Sequence, residues 1–531
     1  MTCPNSPAPR WRYVTTAIPY VNGAPHIGFA LELVQADSLA RFYRQAGHRV
    51  RLQAGTDENS LKNVEAARAA GLPVANLVAR NAERFQDLKQ GLGLSTNDFI
   101  RTSVDPRHRA GVETLWAACL ARGDLYKRAY RGLYCTGCEQ FYRPDDLVDG
   151  LCPEHGSAPE EIAEENWFFR LSRYAAQLTA IYDRGEIEIV PEPRLNEVLA
   201  WLERGLEDIS VSRNASRAEG WGIPVPGDPQ QVIYVWFDAL ANYVTALGYG
   251  SAGTAFETCW RTAERREHVI GKGITRFHAL YWPAILLSAG LPLPTRLLVH
   301  GYLTVDGRKI GKSAGNAIDP EPLAERYGLD ALRYALLRHI RSGSDGDFSE
   351  ERFEQAYRSE LAGQLGNLAH RTLTMIERYR DGVVPPRPPR AAAAELALRR
   401  ETAALPARVA AHIEAFAFHL AFDAIWHVVA EANRTVSEIE PWALARTAEQ
   451  AEEADIRREA ALALDDCLNA LAEALQAVAC ALVPLLPETA SKLAGKLGHG
   501  KEMAWPAEPG AVAGRPVRAG QPLFPLPGAR S

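Results

Sequence analysis

Residues 11–28 read Trp-Arg-Tyr-Val-Thr-Thr-Ala-Ile-Pro-Tyr-Val-Asn-Gly-Ala-Pro-His-Ile-Gly. The first eight are largely β-branched or aromatic, which predicts a buried strand. Pro19, Asn22, Gly23 and Pro25 then mark a turn. From Gly28 to Gln45 apolar residues recur at helical spacing, and Gly47 ends the pattern. His48 to Ala54 reads as a second strand that runs into the polar stretch Gly55-Thr56-Asp57-Glu58-Asn59. Helical patterns continue to about Gly93, and a short third strand is predicted around Asp98 to Thr102. Strands alternating with helices predict an α/β fold with a doubly wound, Rossmann-like parallel sheet. Ligands of such sheets sit beyond the C-terminal strand ends, where His26 and Asp57 are expected to lie.

Outward from this unit the character changes. Residues 123–214 hold a cysteine cluster, an acidic run (Glu160, Glu161, Glu164, Glu165) and Trp167-Phe168-Phe169, and read as an insertion splitting the nucleotide-binding fold. The two halves of that fold are then residues 1–122 and 215–295, with further sheet strands predicted at Val232–Trp236 and His268–Gly271. Arg296–His300 reads as the last strand before a basic loop, within a region spanning 296–350. Glu351–Tyr379, Arg399–Ile439 and Glu452–Leu497 read as long amphipathic helices, which predicts a helical bundle over 351–505. Pro385-Pro386-Arg387-Pro388-Pro389 is a stiff link, and the Pro-, Gly- and Ala-rich residues 506–531 are predicted to be a disordered tail.

At 531 residues the chain implies several domains, and 47% hydrophobic with 23% charged residues fits a globular protein. The net charge of −6 excludes a strong overall basic field, although a local basic face would suffice for a nucleic acid. No apolar run is long enough to cross a bilayer, and residues 1–10 show no signal-peptide pattern, so a cytoplasmic protein without membrane contact is expected. Eight cysteines in a chain of this size do not make a disulfide scaffold. Cys135, Cys138, Cys152 and His155 form a C-x-x-C and a C-x-x-H pair, the donor set of a closed, tetrahedral, structural Zn2+ site.

Two short runs could carry phosphate chemistry. A helix start at Pro25-His26-Ile27-Gly28 offers unpaired N–H groups and the positive end of a dipole. Gly28 admits a base or ribose close to the backbone, and His26 could donate to an α-phosphate under attack. Far along the chain, Gly307-Arg308-Lys309-Ile310-Gly311-Lys312-Ser313 sets two lysines on a Gly-flanked loop, suited to the β- and γ-phosphates of ATP. Taken singly, the first run also reads as a turn with a surface histidine, and the second as a solvated basic turn.

Together the two runs resemble the paired signatures of class I aminoacyl-tRNA synthetases. Thr15-Thr16-Ala17-Ile18-Pro19-Tyr20-Val21-Asn22-Gly23, Gly55-Thr56-Asp57-Glu58, Tyr234-Val235-Trp236-Phe237-Asp238-Ala239 and Phe277-His278-Ala279-Leu280-Tyr281-Trp282-Pro283 resemble the methionyl-tRNA synthetases in particular. The resemblance runs in order from about residue 11 to 500. It implies ATP-dependent ligation of methionine to tRNA(Met), initiator tRNA included, through methionyl-adenylate, with Mg2+ accompanying ATP. His26, Lys309 and Lys312 would stabilise phosphate charge, and Gly28 and Ser313 would complete the ATP site. Ile18, Tyr20, Trp236, Ala239, Leu240, Tyr243, Ile274, His278 and Trp282 would form the thioether pocket, whose aromatic rings suit sulfur. Asp57 would pair with the substrate ammonium. Asn367, Arg371 and Trp442 would read the anticodon by stacking and hydrogen bonding. Without the resemblance, these three read as a solvated pair and a core tryptophan. The resemblance also implies a zinc knuckle in the insertion. The length leaves no room for the extra barrel that dimerises some relatives, which predicts a monomer.

The chain departs from the family at four places. Phe29 stands in place of the second signature histidine, Gly273 in place of an aspartate, Asn59-Ser60 in place of a His-Gly pair, and Gly311 in place of a serine of the basic loop. Loss of one transition-state donor costs roughly 10²–10³ in rate. The departures therefore open a second reading: a divergent paralogue that binds tRNA but has weak or altered activation of an amino acid, with a different acid or acceptor.

Overall fold

The computed structural model describes residues 10–135, 140–142, 144–153, 156–305, 307–310, 316–388, 393–499 and 511–525. It comprises two compact units, one of Met1–Ala40 with His48–Tyr302, the other of Arg41–Gly47 with Leu303–Ser531.

The first unit is built on a six-stranded sheet. Its strands in chain order are β1 (Trp11–Thr16), β2 (Arg49–Thr56), β3 (Asp98–Arg101), β4 (Glu188–Val190), β5 (Arg265–Gly271) and β6 (Arg296–His300). They lie side by side as β3-β2-β1-β5-β6-β4, and every pairing is parallel. Parallel sheets are covered on both faces, and the central strands show it. Tyr13 and Val14 of β1, Val269 and Ile270 of β5, and Leu297 to Val299 of β6 are all fully buried. The order runs outward from β1 in one direction and from β5 in the other. The crevice between those two strands, at their C-terminal ends, is thus the topological switch point where ligands of such sheets bind.

Two features differ from the sequence reading. Val232–Trp236 does not add a strand to this sheet. Asp228–Ile233 instead joins Pro224–Val225 and Ser212–Asn214 in a small antiparallel sheet, and a helix begins at once, Val235–Thr245. Nine of that helix's residues besides Val235 are buried, on all sides, so tertiary burial overrides the strand propensity of its valines and aromatics. Within residues 123–214, Glu188–Val190 returns to the main sheet as its edge strand, its Ile189 opposite Leu297. That segment also holds a four-stranded antiparallel sheet of Leu125–Cys135, Gln140–Tyr142, Glu160–Phe169 and Ile209–Ser210, and the helices Ala175–Asp183 and Glu192–Glu203.

The second unit opens with Leu303–Val305, paired antiparallel to Arg308–Lys309 and parallel to Gly346–Phe348. Helices follow: Glu350–Ala356, a π-helical stretch Tyr357–Gly366, Asn367–Tyr379, Ala393–Glu414, Phe418–Ile439, Pro441–Gln450, Ala454–Leu482 and Pro487–Lys496. The Arg399–Ile439 stretch is therefore two helices, not one. The break is at Phe416, whose φ of +57° turns the chain so that its buried ring meets Phe418 edge-on at 5.2 Å. Ala454–Leu482 is buried almost throughout from Leu464 onward, where its alanines let neighbouring helices approach. The tail prediction also needs correction, because residues 511–525 pack in place. Val512, Val517, Leu523 and Phe524 are buried, Val384 N–H donates to Arg515 O at 3.0 Å, and Val517 N–H to Gly382 O at 2.7 Å. Proline and glycine suppress regular structure there, but the interspersed apolar side chains still supply burial.

Candidate active site

The switch point gathers the N-terminal motif and the residues after β2 and β5. Gly55, near the end of β2, has no room for a side chain. A Cβ there would stand 2.5 Å from Ile100 O and 2.9 Å from Ile18 Cγ2. Beyond it, Asp57 N–H donates to Pro19 O at 2.9 Å, and Asp57 forms a parallel bridge with Tyr20. Asp57 is only 2% exposed. Its backbone is held further by Asn63 Nδ2, which donates to Asp57 O at 3.1 Å. Glu58 is clamped by Thr56 Oγ1 at 2.9 Å and Arg101 Nε at 2.7 Å. Ser60 caps the helix Leu61–Ala69 through Asn63 N–H. The loop thus presents one carboxylate on a rigid backbone.

His26 sits at the N-terminus of the helix Ile27–Gln45 and caps it. Its carbonyl accepts from Phe29 N–H at 2.9 Å, and its Nδ1 accepts from Gly28 N–H at 3.1 Å. The ring proton therefore resides on Nε2, where the imidazole is a donor. Phe29 stacks on His26 with centroids 4.3 Å apart and meets Phe85 edge-on at 5.2 Å. Phenylalanine at 29 thus fixes the orientation of the one signature histidine that remains.

Besides Ile18 and Tyr20, which follow β1, the apolar pocket residues come from two elements. Trp236, Ala239, Leu240 and Tyr243 recur at helical spacing on Val235–Thr245. Ile274, His278 and Trp282 recur every fourth residue on the turns after β5. The two faces meet directly. Trp236 stacks on Phe277 at 3.7 Å, and Tyr243 contacts the rings of His278 (5.6 Å) and Trp282 (5.9 Å).

A buried hydrogen-bond network sets the protonation of these rings. His278 Nδ1 lies 2.9 Å from Ile274 O, so it must donate, and its Nε2 accepts from the Tyr243 hydroxyl at 2.7 Å. The Tyr243 proton is thus committed to His278 rather than to a substrate sulfur. Behind them His268, absent from the sequence-derived pocket, stacks on Tyr243 at 4.0 Å. His268 Nε2 accepts from Trp282 Nε1–H at 3.3 Å, and its Nδ1–H donates to Thr15 Oγ1 at 2.7 Å. Burial pushes His278 down to about 4, partly offset by its bond to Ile274 O. Burial also holds His268 well below the usual histidine range, with His278 and Arg266 adding to the effect. Burial raises Tyr243 well above the usual phenol range. The pocket is neutral and suits an uncharged side chain.

This arrangement has a consequence for stability. An unfolded imidazole titrates near 6.5. Because folding depresses the His278 value, its contribution is complete above about 6.5 and is lost as pH falls through about 4. Between pH 7 and pH 4.5 the parent protein is expected to lose about 2–3 kcal/mol more stability than His278→Gln. Urea midpoints of both proteins at the two pH values check this, and equal losses would place the proton elsewhere.

The other predicted residues are distributed as follows. Gly273 is exposed at the end of β5, where an added Cβ would stand 2.1 Å from the Tyr302 hydroxyl, so that hydroxyl occupies the space of a missing side chain. In the second unit, Lys309 pairs through its backbone with Thr304. Its side chain, together with Gly311, Lys312 and Ser313, lies outside the described residues. Asn367 and Arg371 share a face of Asn367–Tyr379, and the Arg371 guanidinium lies 5.8 Å from the ring of Trp442. Arg371 and Trp442 line one pocket with His370, Thr374, Met375 and Tyr379, and Trp442 is 37% exposed, so it is not a core position. Cys135 and Cys152 are buried in one small cluster with Tyr142, whereas Cys138 and His155 lie outside the described residues.

The family model for class I tRNA synthetases (M) matches residues 12–161 and 155–373. A methionine–tRNA ligase of Mycobacterium bovis is 41% identical over 491 residues, covering 92% of each chain. One from Brucella suis is 41% identical over 524 residues, covering 97% of each. The structure of Mycobacterium tuberculosis methionyl-tRNA synthetase bound to methionyl-adenylate superposes with a TM-score of 0.89 at 39% identity, across 97% of this chain and 100% of that one. The fold is that of a class I tRNA synthetase, and the chain belongs to that family in its methionyl branch.

Proposed function

We propose that this protein activates methionine with ATP and transfers it to tRNA(Met), elongator and initiator alike. The observation that carries the reading is the pairing of a rigid, buried carboxylate, Asp57 after β2, with a neutral aromatic pocket built from Val235–Thr245 and the turns after β5. Asp57 holds the α-ammonium, and the thioether lies among Tyr20, Trp236, Ala239, Tyr243, His278 and Trp282, with Ile18, Leu240 and Ile274 as aliphatic walls. The carboxylate of the methionine so oriented attacks the α-phosphorus of ATP, and pyrophosphate leaves. His26 Nε2–H donates to the phosphate oxygen that gains charge, beside the backbone of Gly28. Lys309 and Lys312, with Ser313, neutralise the departing phosphates. Mg2+ bound with ATP supplies further charge neutralisation. A ribose hydroxyl at the tRNA 3′ end then attacks the acyl carbon and releases AMP. No side chain becomes covalently attached; catalysis is positioning and electrostatics.

Two further assignments accompany this. Cys135, Cys138, Cys152 and His155 would hold a structural zinc, a reading supported by three thiols and an imidazole in two tight pairs and by the shared burial of Cys135 and Cys152. Asn367 and Arg371 of Asn367–Tyr379 and Trp442 of Pro441–Gln450 would read the anticodon, with Arg371 and Trp442 lining a shared pocket. Trp442→Ala should raise KM for tRNA in aminoacylation by about 5- to 150-fold, the worth of one base–aromatic stack, and leave pyrophosphate exchange unchanged. Equal effects on both assays would remove Trp442 from tRNA recognition. A cytoplasmic, monomeric protein goes with the reading. Among the described residues no helix is long and apolar enough to cross a membrane. Charging of purified tRNA(Met) with methionine tests the proposal as a whole. No observation favours the tRNA-binding paralogue without activation.

A further inference from the structure

Behind the Asp57 loop a chain of polar groups runs through the buried interior. Thr245 Oγ1 pairs with His108 Nδ1 at 2.8 Å, and His108 Nε2 lies 2.5 Å from Asp238 Oδ1. The other carboxylate oxygen, Asp238 Oδ2, accepts from Asn59 Nδ2 at 2.7 Å. Asn59 in turn donates its backbone N–H to Asp57 Oδ1 at 3.3 Å. His108, Asp238 and Thr245 are fully buried. A carboxylate in such a place is costly unless each of its oxygens is satisfied. Here one oxygen is satisfied by an imidazole and the other by the residue that aims Asp57.

We propose that His108 and Asp238 are positioning residues for the substrate ammonium, acting through Asn59 on Asp57. His108 Nε2–H fixes the Asp238 carboxylate. Asp238 fixes the Asn59 amide, which also reaches Thr102 O at 3.4 Å. The Asn59 backbone N–H then holds Asp57 Oδ1, so that the acceptor geometry offered to an ammonium is set from His108, three hydrogen-bonded links away. None of the three touches the substrate. The inference rests on the reading of Asp57 as the ammonium anchor.

The test separates the two. Dissociation constants of methionine and of 4-(methylsulfanyl)butanoate, which lacks only the amine, are measured by calorimetry on the full-length protein. The parent should prefer methionine strongly. Asn59→Ala and His108→Leu should each reduce that preference about tenfold, as expected for a misplaced anchor, while KM for ATP is unchanged. Asn59→His and His108→Gln keep a donor toward Asp238 and should restore the preference. Should His108→Leu fail to fold, Asn59→Ala at the partly exposed end of the chain carries the test. A full preference retained in Asn59→Ala would overturn the relay while leaving Asp57 as the anchor. No preference in the parent would overturn both.

Discussion

Replacing Asp57 with asparagine is expected to lower kcat/KM for methionine in pyrophosphate exchange by between about 30- and 5,000-fold. That range is what about 2–5 kcal/mol becomes when one member of a buried, hydrogen-bonded charge pair is neutralised. Asparagine has nearly the shape of aspartate, so the loop contacts made by the Asp57 backbone with Pro19 and Asn63 should survive. The loss should therefore fall on methionine and spare KM for ATP. Steady-state exchange with each substrate varied in turn measures both. A loss under threefold would show that the ammonium is bound elsewhere.

The second large effect concerns His26. His26→Ala is expected to reduce kcat for exchange by roughly 10²–10³, equivalent to about 2.7–4 kcal/mol of transition-state stabilisation, with little change in KM for methionine. Phe29 cannot share the task. It packs against His26 and Phe85 and holds the imidazole in the orientation that its bond from Gly28 N–H also favours. On the proposed reading, phosphate donation at this helix start would fall on one ring, where the family signature has two. A His26→Ala enzyme with unaltered kcat would mean that the helix N-terminus alone suffices.

Much of this was legible in the sequence because it is local. The strand–turn–helix of residues 11–45 and the strand leading to Asp57 are short-range patterns, whereas Trp236, Ala239 and Tyr243 entered only through the family resemblance. The Val232–Trp236 stretch misled for a physical reason. Its valines and aromatics have strand propensity, yet only the surrounding core reveals that the helix starting at Val235 is buried on every side. Phe416 illustrates the same limit, since nothing local announces that a phenylalanine will take a left-handed conformation within an otherwise helical run. The residues missed at the site, His108 and His268, act through partners 130 and 14 positions away. A signal for His108 did exist. It falls with Val112, Leu115 and Cys119 on the buried face of Pro106–Ala121, where a histidine must find a polar partner.

Recognition of an amino acid with an uncharged thioether, and its joining to AMP, is the central proposal. Pyrophosphate exchange on the purified protein, run with methionine and then with each other proteinogenic amino acid, tests that most directly. Rapid exchange dependent on methionine, abolished by Asp57→Asn, is the predicted result. Exchange that is absent with methionine, or faster with a different amino acid, would contradict it.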